Sequence, residues 1–260
     1  MLQLAMRISR MRRNSGRRLN LKPALRRRSE VQYQKSLLAI VDQINQIVTG
    51  SYDGSQASAE SIAKSLVDYS GVIDDWAEMV GRKMFAQVER EEWNQWRSVS
   101  EEISAGLRDV MGNTPVGMVA QDIVYRQIRY MKSLPLEAAG RVREIQERAI
   151  QAVIHGERPD QLYEMIMQSG DVAASRARMI ARTEIGRATG ALTQARALSV
   201  GSEGYWWRIE GAGTRPSHRK MKDKFVRWDS PPTLDGMTGH AGCLPNCKCW
   251  SEVQIPDPVK

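Results

Sequence analysis

Residues 239–250 read GHAGCLPNCKCW, and this stretch decides how the rest of the chain is understood. It holds His240 and all three cysteines of the protein, Cys243, Cys247 and Cys249. An odd set of thiols this crowded cannot build a multi-loop disulfide framework, so a reducing compartment with metal ligation is the natural reading. With His218 upstream, five nitrogen and sulfur donors fall within 32 residues. Thiolate and imidazole are the preferred ligands of zinc, which takes four in a tetrahedron. The one-residue gap in Cys247-Lys248-Cys249 is tighter than the spacing of an ordinary finger. Free cysteines on an inner face, or a redox pair, are the competing readings.

The surroundings say why a metal would be useful. Tyr205 to Ile209, Lys224 to Trp228 and Trp250 to Ile255 are short, aromatic and β-branched, with Gly- and Pro-rich turns between them. Three such strands make a small sheet with little core of its own, and such modules are usually stapled. His218 lies between the first two strands and the other donors on the loop entering the third. A metal there would tie two loops, and its binding energy would count as folding energy.

Before Gly201 the pattern is helical. Leu37, Val41, Ile44 and Val48 recur at helical spacing. Ile62, Leu66, Ile73, Trp76 and Val80 form a second stripe, continuing through Trp93 and Trp96 with residues 89–92 as a solvated face. Ser98 and Glu101 resemble a capping box. A further helix is expected over Val116 to Tyr130, and another starting at Pro135 and ending at His155-Gly156, where an imidazole suits the carbonyl-rich terminus. A short helix around Leu162 to Met167 and a long one from Asp171 to Leu198 complete the series. Glu184 and Arg187 read as an ion pair on one helix face. Trp76, Trp93 and Trp96 read as packing residues, because their neighbours are acidic and unsuited to stacking nucleobases.

Charge is unevenly placed. The net +8 resides in residues 1–29, which carry ten basic residues and no acidic one; the remainder has 28 basic against 30 acidic. The arm comprises Arg7, Arg10, Arg12, Arg13, Arg17, Arg18, Lys22, Arg26, Arg27 and Arg28. Like charges at this density repel, so a mobile arm is expected, with phosphates or an acidic protein surface as its partner. A transit peptide or a solubilising tail would have a similar composition.

Other classes are disfavoured. No run approaches the roughly 20 apolar residues that cross a bilayer, and no apolar signal core is present. There is no HExxH helix, no H-x-E with a C-x-x-C and no phosphate-cradling loop. No catalytic residue is assigned, and no enzyme is expected.

Three ordered motifs carry a resemblance. Ala181-Arg182-Thr183-Glu184 with Arg187-Ala188, then Arg215-Pro216-Ser217-His218-Arg219, then Gly239-His240 with Asn246-Cys247-Lys248-Cys249-Trp250 resemble the phage Mu F-like minor head protein domain over roughly residues 140–255. The resemblance implies structural roles for Arg182, Thr183, Glu184, Arg187, Arg215, Pro216 and Trp250. It places His218, His240, Cys247 and Cys249 on motif positions and leaves Cys243 as the alternate ligand. Gly211 to Thr214 replace expected acidic residues, and Lys248 replaces an arginine, losing a bidentate fork.

The expected fold is α+β: a mainly α-helical N-terminal part with a small, zinc-stapled C-terminal β-containing module. The divisions are a basic arm over 1–30, a helical region over 31–140 and the Mu F-like domain over 141–260. The resemblance implies a minor head, or head morphogenesis, protein of a tailed double-stranded DNA phage or prophage. Portal protein, scaffold or major capsid protein, and double-stranded DNA are the expected partners. The head interior or portal vertex is the expected location, after the host cytoplasm during assembly. The alternatives are a zinc-dependent nuclease or hydrolase, and a DNA-binding protein acting through the arm.

Overall fold

A computed structural model describes residues 16–21, 26–100, 116–155, 160–211 and 213–256. The element order is β1 (Gly16–Leu19), α1 (Arg26–Ser51), α2 (Gln56–Val72), α3 (Asp74–Ser100), α4 (Gly117–Ile154), α5 (Asp160–Met167) and α6 (Ser169–Ser199). Then follow β2 (Gly204–Arg208), α7 (Pro216–Arg219), β3 (Phe225–Arg227), β4 (Thr233–Leu234), β5 (Met237–Thr238) and β6 (Trp250–Pro256). The chain divides into two compact units. One takes residues 1–24, 89–116 and 186–260; the other takes 25–88 and 117–185. Two of the boundaries, at 88/89 and 185/186, fall inside α3 and α6, and a third, at 116/117, immediately precedes α4.

The second unit is helical throughout. Leu37, Val41, Ile44 and Val48 of α1 are all buried, as their spacing predicts. Burying each such side chain stabilises by about 1.5–3 kcal/mol, so this stripe suffices to hold the helix in place. Ser55 caps α2 through its hydroxyl, which accepts the Ser58 N–H at 3.1 Å. The continuous stripe expected from Ile62 to Trp96 is two helices. The chain breaks at Ile73 and restarts with Asp74 and Asp75 in the first turn of α3, where carboxylates suit the helix dipole.

Two expectations about helix ends are corrected. Pro135 does not start a helix; α4 runs through it for 38 residues. Proline removes a donor and opens the preceding turn, and hydroxyls attend to nearby carbonyls: Ser133 Oγ donates to Tyr130 O at 3.0 Å and Ser70 Oγ to Lys132 O at 3.2 Å. Helix α3 reaches Ser100, so Ser98 lies within it; Glu101 lies outside the described residues. At the far end of α4, His155 Nδ1 sits 2.7 Å from Gln151 O, as expected of a terminal imidazole.

The first unit contains the sheet. Its order is β1-β6-β2-β3, with every pairing antiparallel. β4 and β5 form a separate hairpin. Alternation along the strands sends Leu19, Tyr205, Trp207, Val226, Val253 and Ile255 to one face, where they pack with Trp96, Trp228, Ala241 and Leu244. Three strands were expected and a fourth is present. It is drawn from the basic segment: Arg17 pairs with Ile255, Arg18 with Gln254 and Leu19 with Val253. Arg26, Arg27 and Arg28 open α1. Of the arm arginines, Arg7, Arg10, Arg12 and Arg13 lie outside the described residues.

Residues 89–92 are not wholly a solvated face. Glu92 is 3% exposed and forms an ion pair with the equally buried Arg196 of α6. Arg196 also reaches Glu89 at 2.8 Å and lies 5.3 Å from the Trp93 ring centre. Removing one member of a buried pair strands the other, at a cost of about 3–5 kcal/mol, so this pair locks α3 to α6 within the unit.

Candidate metal centre

Pro216 opens α7 at its first position, where a missing N–H costs nothing. The single turn that follows turns His218 inward until it is 1% exposed. Its ring meets Trp207 of β2 edge to face, with centroids 5.7 Å apart and planes at 85°. Cys247 and Cys249 lie on the loop that becomes β6, at 6% and 1% exposure. The Cys247 and Cys249 sulfurs stand 3.3 and 3.5 Å from His218 Nδ1. All three ligand atoms lie within 4.8 Å of one another.

This geometry can hold a metal ion. Zn–S and Zn–N bonds of about 2.3 and 2.0–2.1 Å at tetrahedral angles separate nitrogen from sulfur by roughly 3.5 Å, the spacing found here. The electrostatics agree. Cys247 is held well below the usual thiol range, first by a hydrogen bond from the Cys249 thiol, then by the backbone N–H groups of Cys249 and Gly242 and by His218, against the opposing effect of burial. Cys249 is pushed up, chiefly by that same shared proton and by burial, while Trp207 and Arg215 oppose the rise. The shared proton favours ionisation of one sulfur of the pair, and a metal bound by both would take that proton's place. His218 Nε2 is buried without a hydrogen-bond partner among the described residues, and the ring is held by packing and by its sulfur-facing nitrogen. Two sulfurs and an imidazole make a donor set suited to zinc.

Of the four-ligand cage expected from the sequence, the structure brings three members together. His240 belongs elsewhere. Its Nδ1 lies 3.2 Å from Tyr205 Oη, and its ring packs edge-on against Tyr205 and Trp228. Burial lowers its pKa from the usual histidine value. The physical reason is a tight turn: the Cys243 N–H returns to His240 O at 3.1 Å and separates His240 from the cysteine pair. The alternate, Cys243, is also outside the group. Its carbonyl accepts from Arg187 Nε at 2.8 Å.

The remaining motif residues position backbone and helix. Arg215 Nη2 donates to Pro245 O at 3.0 Å, tying α7 to the cysteine loop. Trp250 begins β6 and is 6% exposed. In the helical unit, Arg182 Nε reaches Glu30 at 3.1 Å and Thr183 is buried. Glu184 is 1% exposed and accepts from Arg126 Nε at 2.7 Å and Gln127 Nε2 at 2.9 Å; Tyr33 Oη in turn donates to Gln127 Oε1 at 2.8 Å. Glu184 and Arg187 thus have partners beyond the helix that bears both. Sequence reading missed Tyr33, Arg126 and Gln127. Their signal is weak, since a polar residue on an apolar stripe reveals nothing of a partner 57 or 94 positions away.

Residues 143–252 match the family described as "Phage Mu protein F like protein". Over 114 residues the chain is 32% identical to a protein of Haemophilus influenzae (strain Rd) named "Uncharacterized protein", covering 44% of this chain and 24% of that one. The chain thus spans about a quarter of that relative's length. No solved structure matches. The matched segment contains the Arg-Thr-Glu turn of α6, all of α7 and the cysteine loop, so residues 143–252 are similar to that family.

Proposed function

We propose that this protein is a minor head, or head morphogenesis, protein of a tailed double-stranded DNA phage or prophage. It docks to the portal while the procapsid is assembled and resides at the portal vertex or in the head interior. The single observation that carries this reading is the Mu protein F-like match over residues 143–252. Portal protein is the principal partner, with scaffold or major capsid protein as further contacts. The arginines that precede β1 supply the charge for touching packaged double-stranded DNA.

In this reading the metal is zinc and its role is structural, held by His218, Cys247 and Cys249. When bound it would tie α7 to the loop before β6 and stabilise a sheet whose β3 has only three residues. Three protein ligands is also the number found in catalytic zinc sites. Here all three are buried, and no carboxylate among the described residues belongs to the group that could serve as a base. That observation favours a building role over hydrolysis.

The test is genetic and biochemical. Tagged protein should co-purify with portal from induced cells, and a clean deletion should yield defective or empty heads. Intact, infectious particles from the deletion would overturn the proposal.

A further inference from the structure

The sheet has a second face, turned away from Tyr205, Trp207 and Val253, and its chemistry differs from that of the metal side. Trp206 of β2 and Phe225 of β3 are directly opposite each other in register. Their rings meet edge to face at 5.6 Å. Phe225 is 40% exposed, and its ring lies over Gly204, where a Cβ would come within 2.7 Å of Cζ. On the other side of Trp206 stands Arg18 of β1, its guanidinium carbon 4.3 Å from the indole centre. Trp206 Nε1 donates to Gln254 at 3.0 Å, which fixes the indole upright between the two. The result is a row of planar groups, arginine, tryptophan and phenylalanine, across the antiparallel sheet, with Arg18 and Phe225 exposed at its two ends.

The chain leading into β3 is strongly basic. Lys220, Lys222 and Lys224 are all exposed, and none forms an ion pair among the described residues. The one acid in this turn, Asp223, is engaged by Arg208. Some cations elsewhere on the surface are matched at i,i+4, as in Lys64–Asp68, Arg82–Glu78 and Arg148–Glu144. Three unmatched lysines within five positions repel one another and attract a polyanion.

We propose that this face binds single-stranded nucleic acid. Bases stack on Phe225 and on the guanidinium of Arg18, Trp206 holds both in place, and Lys220, Lys222 and Lys224 hold the phosphates. The chemistry selects the ligand. An acidic protein surface would satisfy the lysines but gives no reason for paired aromatic groups in register on adjacent strands. A duplex hides the base faces that such a row recognises. None of the residues that form this surface belongs to the candidate metal group.

The experiment measures anisotropy of a fluorescein-labelled oligothymidylate of about 20 nucleotides with the full chain. Phe225→Ala should weaken binding at least about fivefold, and Phe225→Tyr should restore it, because stacking of one base is lost and regained. Replacing Lys220, Lys222 and Lys224 by alanine should weaken binding and reduce the log-log salt slope by about 2, at roughly 0.7 per phosphate for single strands. All three lysines are exposed, so this variant folds even if a change at Phe225 disturbs the sheet. The basic segment before β1 adds affinity that is indifferent to Phe225. Wild-type affinity in both the Phe225→Ala and triple-lysine variants, or equal competition by a duplex or by polyglutamate, would overturn the proposal.

Discussion

Gly186 of α6 lies directly beneath the carbonyl of Gly242: a Cβ at residue 186 would stand 2.5 Å from that oxygen. One turn later, a Cβ at Gly190 would come within 3.0 Å of Cys243 Sγ. Between them Arg187 donates to the Cys243 carbonyl. The helix therefore presents a bare strip with one arginine hook to the loop that carries the cysteines. Where Cys247 and Cys249 stand depends on this seat as much as on the strand that follows them.

Gly186→Ala pits two effects against each other. Alanine is the better helix former by about 1 kcal/mol, but the obstructing atom is a backbone oxygen that cannot swing aside. Overpacking of this kind costs about 1–3 kcal/mol, so the net result should be a lower thermal midpoint. Gly140→Ala in α4 meets nothing within 4 Å and should raise the midpoint by the propensity gain alone. Thermal melts of both variants check the pair, and equal shifts of one sign would show that the seat is not tight.

The ligand set makes a sharper distinction. Protein purified without chelator should hold about one zinc per chain. His218→Ala, Cys247→Ser and Cys249→Ser should each lose most of it, while His240→Ala and Cys243→Ser retain it. Elemental analysis and the charge-transfer absorption of a cobalt-substituted sample give the readout. Chelation should lower the melting of the sheet unit in wild type and leave the three ligand variants unmoved. Loss of zinc in His240→Ala with retention in His218→Ala would refute the assignment.

Periodicity carried much of this architecture into view. The α1 stripe, the β2, β3 and β6 segments and the stop at Gly201 could be read because each depends on local spacing or on a single residue type. What escaped is non-local. β1 hides in an arginine-rich segment, where charge obscures the one inward residue, Leu19, that pairs against Val253. Pro135 reads as a boundary because spacing along one helix says nothing of the Ser70 hydroxyl that another helix brings to Lys132 O. His240 shares a motif with the cysteines, yet its Nδ1 is set against Tyr205 Oη, a contact 35 positions away that spacing does not disclose.

Glu184 offers a test of the buried network in the helical unit. It accepts two charge-assisted or amide hydrogen bonds at 1% exposure, and Gln127 beside it is fully buried. Glu184→Ala would leave the Gln127 amide without that acceptor and Arg126 without its carboxylate. Hydrogen bonds to a charged group contribute about 1.5–3 kcal/mol, and Arg126 is partly exposed, so a loss of about 2–3 kcal/mol is expected. Glu184→Gln keeps the shape and part of the bonding and should lose less. Urea unfolding of the three proteins orders them, and a Glu184→Ala protein as stable as wild type would show that the network contributes nothing.

Strong acid should loosen the entry to α2. Asp53 precedes the Ser55 cap, its Oδ1 accepts the Ser55 N–H at 2.8 Å, and its own N–H donates to Ser58 Oγ at 3.4 Å. Hydrogen bonds from Ser58 and then Ser55 lower its pKa from 3.8 to about 2. A folded pKa below the unfolded one means the unfolded chain binds the proton more readily, so stability falls as pH falls. The contribution is complete above pH 3.8 and is lost on the way down to about 2. Asp53→Ala removes the group altogether. The difference in thermal midpoint between wild type and Asp53→Ala should therefore be constant from pH 7 to about 5 and close progressively between about 4 and 2. A gap of the same size at both ends of that range would mean that the carboxylate's charge plays no part in holding the cap.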